Sequence, residues 1–461
     1  MMPEHDPSTF SVAGARVVVV GAARSGIAAA ELLARRGARV TLTETRESLE
    51  ALPRLRAAGV AVELGGHRAE TLARAELVVL SPGVSPRLPV IDDVLRGGTP
   101  VISEVELAAR WLRGPIVAVT GTKGKSTTTQ LTGRMFGADG RPALVGGNIG
   151  TALSSQVEAS SPDVVHVVEV SSFQLELTRT FHPRIAVLLN LAPDHIDRHG
   201  SFREYAAAKA RIFANQTGDD TMVINADDPL VLELARSGRA RPLRFGVSAP
   251  IDDGVLVAGG AVVRRSPQGD RSLLPLSAGR IPGRHLLSDV LAASAAACAA
   301  GVSSGAIERA VRAFGGSEHT LEAAGEVGGV RFVNDSKATN VLAARAAIEC
   351  FERDVVVILG GRFKGGDLSE LAAPLAARAR AVVAIGEARE HIRAVLGTSV
   401  DVTEAVTLRA AVRAAYALAR GTGTVLLAPA CASLDMFSDY AERGRVFKEE
   451  VARLAQDSAA T

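Results

Sequence analysis

The residues best placed to do chemistry lie in the run Thr120-Gly121-Thr122-Lys123-Gly124-Lys125-Ser126-Thr127-Thr128, between a short apolar stretch and a helix-length segment. Glycines allow a tight turn there, and successive backbone N–H groups with a helix N-terminus form an anion cradle. Lys125 can reach the terminal phosphates of a nucleotide, and the Ser126 hydroxyl suits Mg²⁺. Val119 stands where the long phosphate-loop pattern has its first glycine, so this is the shorter Gly-Thr-x-Gly-Lys-Ser form. Downstream, Glu169 ends the apolar run Val164–Val170. An acid buried there calls for a metal or cationic partner. Asp194-His195-Ile196-Asp197-Arg198-His199 follows the run Ile185–Leu189, and Lys209 falls in a predicted helix over Phe202–Phe213. Mg²⁺ prefers oxygen ligands, with imidazole an occasional addition. An ammonium cannot ligate a metal, so Lys209 serves one only indirectly or after conversion to a carboxylate-like group.

A second glycine turn, Gly21-Ala22-Ala23-Arg24-Ser25-Gly26, follows the run Val17–Val20. The dinucleotide pattern G-x-G-x-x-G fails at its second glycine, which is Ala23, although Glu44 ends the next strand where a ribose-binding acid is expected. A diphosphate-binding turn for a nucleotide-linked substrate accounts for it better than a nicotinamide site. Ser81-Pro82-Gly83 ends another strand of the same segment, where open α/β sheets collect ligands.

Short aliphatic runs position these residues. They include Arg16–Val20, Arg39–Leu42, Leu77–Leu80, Ile116–Val119, Met222–Ile224, Val330–Val333, Val355–Leu359, Ala381–Ile385 and Thr424–Ala428. Near-continuous apolar runs of this length are strands buried on both faces, and helical periodicity fills most gaps. The class is therefore α/β with mainly parallel sheets. A joint is expected at Arg110–Pro115 and another at Gly315–Thr320, giving segments 1–112, 113–316 and 317–461. Ala249–Ile281 is rich in Gly, Pro and Val and predicts a small β-rich elaboration of the middle segment. The tail Gln456–Thr461 is expected to fray.

Composition bounds the rest. A chain of 461 residues is too long for one ordinary core; at about 150 residues per domain it suggests three. A formal charge of +2 gives no electrostatic reason for a nucleic-acid partner. Cys298, Cys350 and Cys431 have neither disulfide nor zinc spacing, which fits a reducing compartment. Met1–Phe10 does not read as a secretory signal, and no apolar run approaches the ~20 residues of a membrane helix. The expectation is a cytoplasmic protein without membrane insertion.

From about Val17 to Leu454 the chain resembles the Mur ligases, which share the phosphate loop with folylpolyglutamate synthetases. Several segments resemble the D-glutamate-adding branch: Gly146-Gly147-Asn148-Ile149-Gly150, Glu169-Val170-Ser171-Ser172-Phe173-Gln174-Leu175-Glu176, Asn190-Leu191-Ala192-Pro193-Asp194-His195, Asn334-Asp335-Ser336-Lys337-Ala338-Thr339-Asn340 and Pro429-Ala430-Cys431-Ala432-Ser433-Leu434-Asp435. A folate ligase would lack the separate segment ahead of the phosphate loop.

The resemblance implies a Rossmann-like UDP-binding N-terminal domain, a central P-loop-type ATPase domain and a Rossmann-like C-terminal domain for the amino acid. It implies a monomeric ligase that uses ATP and Mg²⁺ at two sites to join D-glutamate to UDP-N-acetylmuramoyl-L-alanine through an acyl phosphate. By similarity, Lys125, Glu169, His195, Lys209 and Asn148 are catalytic. Gly121, Thr122, Lys123, Gly124, Lys125, Ser126, Thr127, Thr128 and Asp335 bind ATP. Arg24, Ser25, Gly26, Glu44, Arg46, Ser81 and Asn148 surround the UDP-linked substrate. Thr339, Lys364, Ser433 and Tyr440 hold D-glutamate. Ser126 and Glu169 hold one metal ion, His195 and a carbamylated Lys209 the other. The chain departs from the family at Thr320, where Arg is common, and at Leu286 and Asp289, where the usual pattern is His-Asn-x-x-Asn. Tyr440 stands where the D-glutamate enzymes often have Phe.

Overall fold

The structure is a computed structural model and describes residues 10–278, 283–314, 318–419 and 421–459. The expectations for Met1–Phe10, for the Gly315–Thr320 joint, for the end of the Ala249–Ile281 elaboration and for the extreme C-terminus fall partly outside them.

Three sheets carry the three-domain α/β architecture. The first holds β1 (Arg16–Val20), β2 (Arg39–Thr43), β3 (Ala61–Glu63), β4 (Leu77–Leu80) and β5 (Val101–Ser103) in the order β3-β2-β1-β4-β5, parallel throughout. The chain reverses its direction of travel between β1 and β4. A crevice therefore opens beyond their carboxyl ends, where the Gly21 turn and Ser81 lie.

The second sheet holds β6 (Ile116–Thr120), β7 (Ala143–Gly147), β8 (Val165–Glu169), β9 (Ile185–Leu188), β10 (Thr221–Asn225), β11 (Arg241–Gly246), β12 (Gly254–Ala258), β13 (Ala261–Ser266) and β14 (Gly269–Pro275). Its order is β14-β13-β12-β11-β10-β9-β6-β8-β7. Only β12–β13 and β13–β14 pair antiparallel, which is the predicted β-rich elaboration. β6 sits at the switch point between β8 and β9, so the phosphate loop, Glu169 and Asn190 emerge from neighbouring strands.

The third sheet holds β15 (Glu322–Val327), β16 (Val330–Asn334), β17 (Val355–Gly360), β18 (Ala379–Ile385), β19 (Val402–Glu404) and β20 (Thr424–Leu427), ordered β15-β16-β20-β17-β18-β19.

Strands β1, β6, β8, β17 and β20 are apolar almost end to end because helices cover both faces, and their residues are buried almost without break. The first two sheets share one buried cluster, running from Val17 and Leu33 through Leu107 and Trp111 to Ala118, Leu188 and Phe213. With the helical residues Ser288–Ala313 they form one compact unit, and the third sheet belongs to a second. Glu106 fastens the first two sheets together. Its carboxylate accepts from the backbone N–H groups of Arg179, Thr180 and Phe181 and from the Arg110 guanidinium. Among the described residues no helix is long and apolar enough to cross a membrane.

Candidate functional site

The central site begins where β6 ends. Gly121 (φ 157°) and Gly124 (φ 82°) take backbone conformations that L side chains rarely adopt, and a Cβ on Gly124 would lie 2.0 Å from Asp289 Oδ1. The helix Lys125–Ala138 then starts after Gly124, which has no side chain to cap it. A helix N-terminus at such a glycine turn suits an anion.

Lys125 Nζ donates to the carbonyl oxygens of Gly121 and Thr122, both at 2.9 Å. Ser126 Oγ donates to Glu169 Oε2 at 2.6 Å, and Asn148 Nδ2 donates to Oε1 at 2.8 Å. The acid expected to need a partner is thus buried beside a hydroxyl and an amide. Lys209 comes from the helix Phe202–Ala210, whose N-terminus Ser201 caps. Its Nζ is buried and donates to the same Gly121 carbonyl at 2.8 Å. Burial pushes its pKa well below the usual lysine value and the Lys125 charge pushes it further, against the opposing pull of Asp194 and Glu169.

His195 stands apart from this group. It is exposed, adopts φ 51°, sets its ring edge against Phe173 with centroids 4.9 Å apart, and lies 3.6 Å from Asp194 Oδ2. No hydrogen bond joins it to Lys209 or Glu169, and no cluster of three or more His, Cys, Asp or Glu is set to hold a metal among the described residues. The Ser126–Glu169 pair does fit Mg²⁺, since both donors are hard oxygens already converging.

Sequence reasoning gave no role to several residues that shape the loop. The Asn190 side chain grips Lys123, accepting from its N–H at 2.9 Å and donating to its carbonyl at 3.1 Å. The Tyr205 hydroxyl meets Thr122 Oγ1 at 2.9 Å. Asp289, noted only as a departure, places its carboxylate against Gly124 and hydrogen-bonds Thr127. Burial raises its pKa well above the carboxylate range, against the pull of Lys125. The one available signal was that Asn190 opens a family-like segment.

In the N-terminal sheet the first glycine turn leads into the helix Arg24–Arg35, again without a side-chain cap. Gly26 must be glycine, since a Cβ would meet the Gly21 carbonyl oxygen at 1.9 Å. Ser25 and Ser81 are buried, and the Ser81 hydroxyl makes no hydrogen bond among the described residues, which suits a phosphate oxygen. Glu44 is otherwise engaged. It accepts from the N–H groups of Ala22 (2.7 Å), Thr45 (2.9 Å) and Arg46 (3.2 Å) and from the Arg46 guanidinium. Burial pushes its pKa up, but the Arg46 side chain and these N–H groups outweigh that and hold it at about 2. Glu44 and Arg46 thus brace the turn itself.

The D-glutamate candidates sit on loops after β16, β20 and β17, which are neighbours in the third sheet. Thr339 follows β16, Lys364 follows β17 and is exposed, and Ser433 follows β20 and is buried. Tyr440 opens the helix Tyr440–Ala459. A residue missed from sequence ties these loops: the buried Arg443 guanidinium donates to Ser336 Oγ (3.0 Å) and to the carbonyls of Ser336 (2.9 Å) and Cys431 (3.2 Å). Asp335 Oδ1 accepts from the Leu321 N–H at 3.2 Å. Thr320, at the family's Arg position, lies between His319 (φ 62°) and Leu321 (φ 43°), and its hydroxyl makes no hydrogen bond among the described residues.

Comparison with known proteins covers all three sheets. Residues 15–103 match the MurD-like N-terminal domain of Mur ligases, residues 119–297 the Mur ligase middle domain and residues 321–431 the Mur ligase glutamate ligase domain. The chain is 47% identical over 444 residues to a protein of Acidobacterium capsulatum named UDP-N-acetylmuramoylalanine--D-glutamate ligase, covering 95% of this chain and 96% of that one. It is 42% identical to a protein of the same name from Koribacter versatilis, covering 97% and 99%. The solved UDP-N-acetylmuramate-alanine ligase of Thermotoga maritima shares the fold, with a TM-score of 0.61 at 19% identity, over 95% of this chain and 99% of that one. Matched in sequence along nearly its whole length and in fold across its three sheets, the chain belongs to the Mur ligase family.

Proposed function

We propose that this chain joins D-glutamate to UDP-N-acetylmuramoyl-L-alanine at the expense of ATP, in the assembly of peptidoglycan precursors. The observation that carries the reading is the Lys125, Ser126, Glu169, Asn148 and Lys209 cluster around the phosphate loop, in a chain 47% identical to a protein bearing that activity's name. The alanyl carboxylate attacks the γ-phosphorus of ATP, and ADP leaves. The D-glutamate amine then attacks the acyl carbon, loses a proton, and phosphate leaves. Lys125 and the N–H groups at the start of its helix hold the transferring phosphoryl group, and Asn148 steadies the reacting end of the UDP-linked substrate. Thr339, Lys364, Ser433 and Tyr440 receive the D-glutamate carboxylates, and Asp335 faces the adenosine.

Ser126 and Glu169 would hold one Mg²⁺, and His195 with Lys209 a second once the Lys209 amine has added CO₂ and released a proton. The metal supplies charge neutralisation between the nucleotide phosphates. In this reading the enzyme works as a monomer in the cytoplasm, without nucleic acid or membrane partners.

The test is incorporation of radiolabelled glutamate into the UDP-linked product, with phosphate release measured in parallel. D-glutamate should enter with one phosphate released per bond. Equal use of L-glutamate, or phosphate release that ignores the UDP-linked substrate, would overturn the reading.

A further inference from the structure

The loop that carries His195 does little to hold its own shape. His195 takes a left-handed φ of 51°, and the helix after it, Ile196–His199, is only four residues long. A single turn cannot support itself in water, and a strained residue persists only where its surroundings over-determine it. Ser172, Phe173 and Tyr205 hold the loop from within the central domain, and further support comes from the N-terminal sheet. Arg198 reaches across to the turn after β4, donating from one terminal nitrogen to the Pro82 carbonyl at 3.0 Å and from the other to the Val84 carbonyl at 2.7 Å. Its guanidinium carbon lies 3.9 Å from the centre of the Phe173 ring. Phe173 belongs to the helix Ser172–Glu176, which follows Glu169. Arg87, on the same N-terminal turn, donates to the His199 carbonyl at 2.7 Å and to Glu204 at 3.0 Å.

The turn held by Arg198 begins at Ser81, whose buried hydroxyl has no partner among the described residues, and it presses against the first glycine turn. A Cβ on Gly21 would lie 2.8 Å from Val84 Cγ2 and 3.0 Å from Ser81 Cβ. A continuous set of contacts thus runs from the Gly21 turn through Ser81–Val84 and Arg198 to the His195 loop.

We propose that Arg198 is a positioning residue that couples the N-terminal substrate turn to the phosphoryl-transfer site. A ligand that fixes the Ser81–Val84 turn fixes two carbonyls, these fix the guanidinium fork, and the fork sets the His195 loop. The nucleotide is then bound more tightly once the UDP-linked substrate is in place, and the reverse holds equally. The inference rests on the function proposed above, because it needs the UDP-linked substrate to occupy the first glycine turn.

The test uses the full chain and a non-hydrolysable ATP analogue with Mg²⁺. Its dissociation constant is measured calorimetrically with and without saturating UDP-N-acetylmuramoyl-L-alanine. Wild type should bind the analogue at least about fivefold more tightly with the co-substrate present, within the range common for coupled sites. Arg198→Lys keeps a cation over Phe173 but loses the planar fork that spans two carbonyls. It should bring the ratio to within about twofold of unity, lower kcat, and leave the separate affinities and Tm near wild type. Arg198→Met should behave alike; should it not fold, Arg198→Lys decides alone. A wild type with no coupling, or an Arg198→Lys enzyme that keeps it, overturns the inference. A wild type that fails to turn over the UDP-linked substrate instead strikes the function on which it rests.

Discussion

Two ammonium groups, those of Lys125 and Lys209, donate to one carbonyl oxygen, that of Gly121. Like charges so close favour the neutral form of whichever is more buried, and Lys209 is the buried one. A neutral amine is the form that adds CO₂, so this environment supports the carbamylated Lys209 proposed above. Lys209→Ala should lose about 10²–10³ in kcat, the scale of a lost electrostatic contact to the transferring group. Acetate or formate should partly restore the rate, and the carbamate signal that ¹³CO₂ gives in NMR of the wild type should be missing from the variant. An active variant indifferent to added carboxylate would remove Lys209 from the reaction. At this scale the phosphate loop was legible because its residues are contiguous and each type has one physical use. Asn190, Tyr205 and Asp289 were not, because their partners are distant in sequence. For Glu44 the spacing suggested a ribose ligand but gave no sign of its bonds to Ala22, Thr45 and Arg46.

Among elements, the seam between the first two sheets offers a pH signature. Glu104 opens the helix Glu104–Ala109, and its Oε1 accepts from the N–H of Ser154 on the 3-10 turn Leu153–Ala159. Burial lifts its pKa to about 7, against the pull of the Ser154 bond and the Arg24 charge. Between the ordinary value of 4.5 and about 7 the folded chain holds a proton that the unfolded chain does not. The stability this contributes is fully present below pH 4.5 and is lost as pH rises through about 7. Glu104→Gln cannot titrate. Between pH 5 and pH 8 the Tm of wild type should therefore fall relative to that of Glu104→Gln, by roughly 2–4 °C for each kcal/mol lost. Parallel Tm curves would show that Glu104 does not titrate in this window. The long apolar strands were legible at this scale, with ends moved by a residue or two. Short β3, β5 and β19 were not, because three residues carry too little pattern. Neither was β15, a largely exposed antiparallel edge strand with little apolar alternation.

For the molecule as a whole, the third sheet places the D-glutamate candidates on adjacent loops, and Arg443 binds those loops to one another. Lys364 is the exposed cation among them, suited to a substrate carboxylate. Lys364→Ala should raise the KM for D-glutamate at least about tenfold, the loss of one charge-assisted hydrogen bond, while the KM for ATP stays within about twofold. Equal movement of both constants would place Lys364 outside the amino-acid pocket. The three-part architecture was legible because strand and helix patterns repeat along the chain. The packing of those parts was not, since nothing local in Glu106 or Trp111 marks them as crossing a seam.

That packing bears on how the chain comes apart. The first two sheets share one buried cluster, so neither can expose its interior without opening the other's. They match two separate domain models, yet their shared core predicts a single cooperative folding unit, and the third sheet, with its own core, another. A destabilising change beneath the first glycine turn would therefore spread to the phosphate loop as a rise in the population of one jointly unfolded state, with no change in any contact to ATP. Loss of nucleotide binding in such a variant would be a matter of abundance rather than affinity.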